Sequence, residues 1–236
     1  MSFDIISFDL DGTLLDTAGE IAQAANNALQ AHGIDPRPHA EIARLIGEGS
    51  RALMLKLLAR IFLERPVVSD HVKSDAVLDR FEHELASTLG RHASPYEGVH
   101  DGLTRLRQAG VRLACVSNKE LRHALTLLRA AALHDLFDLV LGGDSLPERK
   151  PHASVLRHVV QVLQGDTRRM AHVGDSHIDV EAARNAGVQA WAVPYGYNAG
   201  RPVWEAKPQR IFSGLAEVAD HVLASRHLSA ALSPVK

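Results

Sequence analysis

The sequence predicts an α/β fold: a parallel sheet with helices on both faces and a helical insert near its start. Three observations carry this expectation. Short apolar runs near residues 4–9, 111–117, 138–142, 169–174 and 189–193 read as buried strands. Helical patterns lie between most of them, and such alternation builds parallel sheets covered on both sides. The stretch 17–93 interrupts the alternation, with helical patterns and no strand.

The first strand, Ile5-Ile6-Ser7-Phe8, runs into Asp9 and Asp11. Helical patterns follow around 21–32, 40–46, 51–62 and 74–89, punctuated by Gly33, Pro36, Pro38, Gly47, Gly49 and Pro66. The chain returns to the sheet through Ala93-Ser94-Pro95-Tyr96-Glu97-Gly98, a composition that suits a hinge-like linker or an ordinary loop. The expected organisation is a discontinuous core (1–16 and 94–226), an insert (17–93) and a tail (227–236). The end from Ser225 is expected to fray and carries no assigned function.

The second strand ends at Ser117 and Asn118, before a helical pattern through Leu121, Leu125 and Leu128. Leu139-Val140-Leu141 and the turn-like Gly142-Gly143 precede Lys150-Pro151. A later strand enters Gly174-Asp175. Asp179 follows four residues on, in a helix that includes Val180, Ala183 and Arg184 and stops at Gly187.

With 236 residues, 46% of them hydrophobic, the chain can bury one large core plus a small accessory domain. A formal charge of -2 gives no electrostatic reason to expect nucleic acid. The single cysteine, Cys115, excludes an intrachain disulfide and reads as a packing residue. No stretch approaches a membrane span. Met1-Ser2-Phe3-Asp4 lacks the basic region and apolar core of a signal peptide, so a cytoplasmic protein is expected. A monomer or homodimer is expected.

The chemistry gathers at strand ends. Asp9 and Asp11 lie at the carboxyl end of a strand, where open α/β sheets bind ligands. Two crowded acids call for a cation, and a hard, oxygen-loving ion such as Mg²⁺ is the natural one. A solvated acidic turn is the alternative, because Asp-Gly is a common turn dipeptide. Free backbone N–H groups after the second strand would bind an anion, with Ser117 and Asn118 adding side-chain donors; either residue would also serve as a plain helix cap. Lys150 is a compact cation on a long stem, suited to a phosphoryl oxygen or to solvent. Asp175 would reach the same sheet edge as Asp9. Asp179 in a first helical turn would complement the helix dipole, as a capping charge would.

Among fourteen histidines, His152, His172 and His177 lie near these stretches, and none has zinc-like spacing. His172 reads as a satisfied core residue, and His177 borders the site without a role. Trp191 and Trp204 read as packing residues.

In this order, each after a strand, the four stretches resemble the haloacid dehalogenase superfamily of phosphotransferases. The pattern is an Asp-x-Asp-Gly-Thr loop, a Ser/Thr, a Lys and a Gly-Asp with a further Asp, all present here across nearly the whole chain. Within it the chain is similar to the phosphoglycolate phosphatase family, through Leu45-Ile46-Gly47-Glu48-Gly49-Ser50, Gly142-Gly143-Asp144 with Lys150-Pro151-His152, and Pro194-Tyr195-Gly196-Tyr197-Asn198. That family commonly has a second proline after Lys-Pro-His; Ala153 stands there, touching loop stiffness rather than chemistry.

The resemblance implies a Rossmann-like core with a mobile helical cap inserted after the first motif. It implies Asp9 as nucleophile and Asp11 as acid and base, with Thr13, Ser117, Asn118 and Lys150 holding phosphate. Mg²⁺ would take the Asp9 and Asp175 side chains and the Asp11 carbonyl, with Asp179 behind these ligands or reaching the ion through water. The substrate would be a small phosphorylated metabolite, 2-phosphoglycolate first. Its choice would reside in the cap, where Gly47-Glu48-Gly49 would dip into the site and Arg51 would grip a carboxylate. A simple helix–helix turn and a solvated arginine are the alternatives. A phosphomutase, pyrophosphatase, nucleotidase or non-catalytic Mg²⁺-binding module are competing readings; Thr17-Ala18-Gly19-Glu20 lacks the Tyr-His pair of β-phosphoglucomutase-like proteins.

Overall fold

Strand β1 (Ile5–Phe8) is buried at all four positions, so its side chains serve two cores. The computed structural model describes residues 2–231, with side chains described through 226. After β1 comes the two-residue strand β2 (Leu15–Asp16) and then five helices: α1 (Ala18–Ala31), α2 (His39–Ala43), α3 (Ser50–Glu64), α4 (Pro66–His71) and α5 (Ser74–Thr88). The chain returns through β3 (Ser94–Pro95). It continues as α6 (Val99–Gln108), β4 (Arg112–Val116), α7 (Leu121–Ala130), β5 (Leu139–Leu141) and α8 (Ala153–Val162). It finishes with β6 (Met170–Gly174), α9 (His177–Ala186), β7 (Gln189–Ala192), β8 (Arg210–Ile211) and α10 (Leu215–Ala231).

The main sheet has the order β5-β4-β1-β6-β7-β8 and is parallel throughout. Alternation along its strands feeds the two cores. Ile6, Phe8, Leu113, Cys115, Ala171 and Val173 join one hydrophobic cluster. Ile5, Ala114, Val116 and Met170 join the other, under α8 and α9. Strand order reverses around β1, which places the ligand-binding edge at the carboxyl ends of β1, β4 and β6.

The insert is tied to the sheet at its root. β2 and β3 pair antiparallel, with Leu15 opposite Pro95 and Asp16 opposite Ser94, so the chain leaves and returns side by side. The expected linker is therefore a paired ribbon. Glu20, 1% exposed, reinforces it by accepting backbone N–H bonds from Gly90, His92 and Ala93.

Several expectations need correction. α4 went unpredicted because none of its residues is buried and no apolar stripe marks it. The buried face of α7 is His123, Ala124, Leu127 and Leu128, leaving Leu121 and Leu125 half-buried. Trp191 is buried as expected, but Trp204 is 60% exposed: its 3₁₀ turn buries Val203 instead. α10 runs to Ala231 where a tail was expected from 227, and residues 232–236 lie outside the described ones. Among the described residues, no helix is long and apolar enough to cross a membrane.

Candidate active site

Strand register assembles the site. Phe8 pairs with Cys115 on one side and Val173 on the other. The residues just beyond those three positions, Asp9, Ser117 and Asp175, therefore emerge on one edge. Asp9 is pinned by its backbone N–H, which donates to the Val173 carbonyl at 2.9 Å.

Lys150 stands between two acids. Its buried Nζ lies 2.8 Å from Asp9 Oδ1 and 2.7 Å from Asp179 Oδ1. Asp179 is held from every side: Oδ2 accepts from Ser176 N at 3.1 Å and Ser176 Oγ at 2.6 Å, completing a capping box on α9. Its Oδ1 also lies 3.2 Å from His172 Nε2, whose other ring nitrogen meets Ser7 Oγ at 2.8 Å. His172 is thus the satisfied core residue expected, and it also steadies the site.

Asp175 accepts from Thr13 Oγ1 at 3.0 Å and from Tyr197 N at 2.7 Å. Two glycines admit it: a Cβ on Gly12 or Gly196 would lie 2.7 Å or 2.2 Å from its side chain. Gly12 also has φ +84°, which favours glycine. Asp11 faces the other way. It accepts from Thr17 Oγ1 at 2.6 Å, and its Oδ2 lies 3.2 Å from Lys119 Nζ.

The electrostatics are uneven. Burial pushes the Asp9 carboxyl up to about 7, with Lys150 pulling partly against it. Burial, then the charges of Asp179 and Asp9, push Asp175 up to about 8. Burial would raise Asp179 too, but the Lys150 ammonium and His172 overcome it and hold this carboxyl well below the usual range. Burial works against the charged form of Lys150, yet the two carboxylates hold its proton more tightly than usual. With all three ionised, Asp9, Asp175 and Asp179 against the one Lys150 ammonium carry a negative surplus, and burial together with this surplus is why the first two hold their protons so strongly. Asp9, Asp175 and Asp179 offer oxygen ligands all within 4.8 Å of one another. An all-oxygen carboxylate set suits a hard divalent cation, so this cluster could hold a metal. Asp179 already has four hydrogen-bond contacts, from Lys150, His172 and Ser176 N and Oγ, against two for Asp175, which fits a more remote place in such a site.

The insert closes over this edge. Asn118 Nδ2 donates to the Gly47 carbonyl and to the Lys150 carbonyl, each at 3.0 Å. Arg149 Nη1 donates to the Glu48 carbonyl at 3.0 Å. Ile21, Ile46 and Leu53 cover Asp9 and Asp11, leaving about 20 Å³, room for about one water.

The expected residues thus divide. Asp9, Asp11, Ser117, Asn118, Gly47 and Gly49 line one cavity, with Lys150, Asp175 and Asp179 directly behind Asp9. The Thr13 hydroxyl is committed to Asp175 rather than turned to a ligand. Both side-chain N–H groups of Asn118 are spent on carbonyls. The Glu48 side chain turns outward to Lys56, and Arg51 is a solvated helix residue, 62% exposed and 3.8 Å from Asp75. The helix cap of α7 is Glu120, not Ser117 or Asn118. Lys119, Thr17 and Tyr197 went unassigned from the sequence. For Lys119 a signal existed, since a lysine directly follows Ser117-Asn118.

Comparison with known proteins follows the same lines. The family model described as haloacid dehalogenase-like hydrolase matches residues 6–193. The chain is 42% identical over 212 residues to the phosphoglycolate phosphatase of Nitrosospira multiformis, covering 90% of this chain and 92% of that one. It is 35% identical to that of Vibrio vulnificus, covering 94% and 96%. A crystal structure of a predicted phosphoglycolate phosphatase from Haemophilus somnus 129PT superposes with a TM-score of 0.86 at 28% identity, covering 94% of this chain and 98% of that one.

Proposed function

The chain belongs to the haloacid dehalogenase-like hydrolase family, and we propose that this phosphoric monoester hydrolase cleaves 2-phosphoglycolate through an aspartyl-phosphate. The observation that carries the reading is that Asp9 and Asp11 line the same small covered cavity, with Lys150 beside the first and Lys119 beside the second.

Phosphate monoesters hydrolyse very slowly in water, and covalent catalysis splits the task into two easier steps. An Asp9 oxygen attacks phosphorus, and the bond from phosphorus to the leaving oxygen breaks. Asp11 gives that oxygen its proton, releasing the alcohol. Asp11 then takes a proton from water as the water attacks phosphorus, and Asp9 leaves as carboxylate while phosphate is freed. Asp11 serves as acid and then as base, held in place by Thr17.

Donors for the phosphoryl oxygens come from the other strand ends. Lys150 is charged and adjacent to Asp9. The Ser117 hydroxyl accepts from Lys119 N and keeps its own proton to give. Asn118 contributes its backbone N–H, which has no partner among the described residues. Its side chain fastens the cap loop. Thr13 orients Asp175.

We assign Mg²⁺ to Asp9 and Asp175, with Asp179 behind them. Bound there, the ion would offset the charge of carboxylates and phosphate and template in-line attack.

The space as closed holds about one water, so the cap opens to admit any phosphate ester; Ile21, Ile46 and Leu53 in the lining favour a small leaving group with few hydroxyls. The relatives named phosphoglycolate phosphatase support the same choice.

The test is phosphate release from 2-phosphoglycolate, sugar phosphates, nucleoside monophosphates and pyrophosphate, with and without Mg²⁺. Selective, Mg²⁺-dependent release from 2-phosphoglycolate is expected. Release from the other esters alone would discard this substrate and keep the reaction, and an isomerised sugar phosphate without free phosphate would replace hydrolysis by a mutase.

A further inference from the structure

Lys119 is a buried cation that the reaction above leaves unused. It follows Ser117 and Asn118 at the end of β4, is 3% exposed, and lines the cavity under the insert. Among the described residues its one ionic partner is Asp11, at 3.2 Å. An ammonium has three N–H donors, so this contact leaves it capacity for another anion.

The other cations nearby are engaged or remote. Lys150 is held by Asp9 and Asp179. Arg149 donates to the Glu48 carbonyl, and Arg51 lies in solvent beside Asp75. Among the described residues, Lys119 is the one cation lining the cavity that holds Asp9 and Asp11.

We propose that Lys119 recognises a carboxylate on the leaving group and thereby sets the preference for carboxylated phosphate esters. The proposal rests on the assignment of Asp11 as proton donor to the leaving oxygen and deepens the phosphoglycolate reading. In 2-phosphoglycolate the carboxylate carbon is two bonds from that oxygen. The group that protonates the oxygen and the cation that meets the carboxylate must then be neighbours, joined by two hydrogen bonds and one short segment of substrate. Asp11 Oδ2 and Lys119 Nζ are neighbours, 3.2 Å apart.

The surroundings favour such a pair. Ile21, Ile46 and Leu53 share the cavity's lining and lower its polarity, so a charge-assisted hydrogen bond there gains strength. The walls offer the methylene carbon apolar contact. Ser50, the polar side chain contributed from the cap, is turned to Glu120 and Glu82. The carboxylate is therefore left to Lys119.

The experiment compares kcat/KM for 2-phosphoglycolate and ethyl phosphate, which shares the two-carbon chain and lacks the carboxylate, in wild type, Lys119→Met and Lys119→Arg. Thermal melting of each variant checks the fold, and Lys119→Gln takes the place of the methionine variant should that one not fold. Wild type is expected to prefer 2-phosphoglycolate. Lys119→Met is expected to lose about 10- to 100-fold on 2-phosphoglycolate, the scale of one charged hydrogen bond, with a clearly smaller loss on ethyl phosphate. Lys119→Arg is expected to retain part of the preference. Equal losses on both esters would overturn the proposal and leave Lys119 as a support for Asp11, with the substrate reading intact. A wild-type enzyme without preference for 2-phosphoglycolate would overturn the substrate reading and this proposal together.

Discussion

Asn118 joins the sheet edge to the cap, donating from one amide nitrogen to the carbonyl of Gly47 at 3.0 Å while also holding the Lys150 carbonyl. A residue just beyond β4 therefore fastens the insert over Asp9. Asn118→Ala removes both bonds, each worth about 1 kcal/mol. Expected results are a fall in kcat/KM of about tenfold to a hundredfold and faster amide exchange at Gly47–Ser50. Unchanged exchange at that loop would show that the contact does not hold the cap.

Asp9→Asn is expected to lower kcat by roughly 10⁴-fold or more, the scale seen when a nucleophile is deleted. Stability should move the other way. Burial pushes the Asp9 carboxyl up to about 7 and the charges of Asp179 and Asp9 help push Asp175 up, so ionised Asp9 works against its neighbours. In metal-free buffer above neutrality, the variant is expected to melt no lower than wild type. Steady-state kinetics and thermal melting check the two parts, and retained turnover would remove the covalent mechanism.

These two residues also show where the sequence is readable. Asp9 and Asp175 each follow an apolar strand, and parallel register forces such ends together. The same logic placed Ser117. It failed where geometry between distant segments decides the role. The amide of Asn118 is consumed by carbonyls 71 and 32 residues away in the chain, and no local pattern announces that. Lys119 acquires its meaning only because the β1 loop turns Asp11 toward it. Two-residue strands such as β2, β3 and β8 are too short to show a period of two.

Glu20 accepts three backbone N–H bonds from the segment that returns the chain to the sheet. Its carboxylate is buried, so an NH₂ group put in place of one of its oxygens has no water to turn to. Glu20→Gln replaces one acceptor oxygen by an NH₂ group that faces an N–H. The expected cost is about 1–3 kcal/mol, the penalty for an unsatisfied buried donor. Urea denaturation measures it; a change within error would mean the ribbon of β2 and β3 suffices to root the insert.

Thr13 is expected to act on the cation rather than on phosphate. Its hydroxyl donates to Asp175 at 3.0 Å and is fully buried. Outer partners of this kind orient a ligand, and their loss costs about 10- to 100-fold in metal affinity. Thr13→Val is expected to raise the Mg²⁺ concentration for half-maximal activity by that factor, while saturating Mg²⁺ recovers most of the rate. Chelation of wild type by EDTA is expected to stop phosphate release and leave the far-UV circular dichroism in place. A Thr13→Val defect that excess Mg²⁺ does not repair would place the hydroxyl in phosphate binding after all.

Glu120 links cap and core through the Ser50 hydroxyl, which lies 2.9 and 2.8 Å from its two carboxylate oxygens. Burial alone would raise this carboxyl; the His123 ring, its own backbone amide and Ser50 overcome that and hold it at about 2 against an ordinary 4.5. A carboxyl lowered on folding stabilises the folded state above its unfolded value. The benefit is lost as pH falls through the lowered one. The stability difference between wild type and Glu120→Gln should therefore be full at pH 7 and shrink as pH drops from 4.5 toward 2. Urea titrations of both proteins across that range measure it. Ser50→Ala, which removes the hydrogen bond from the cap side, is expected to narrow the same window. A difference that stays constant down to the acid limit would mean that Glu120 contributes by packing and not by its charge.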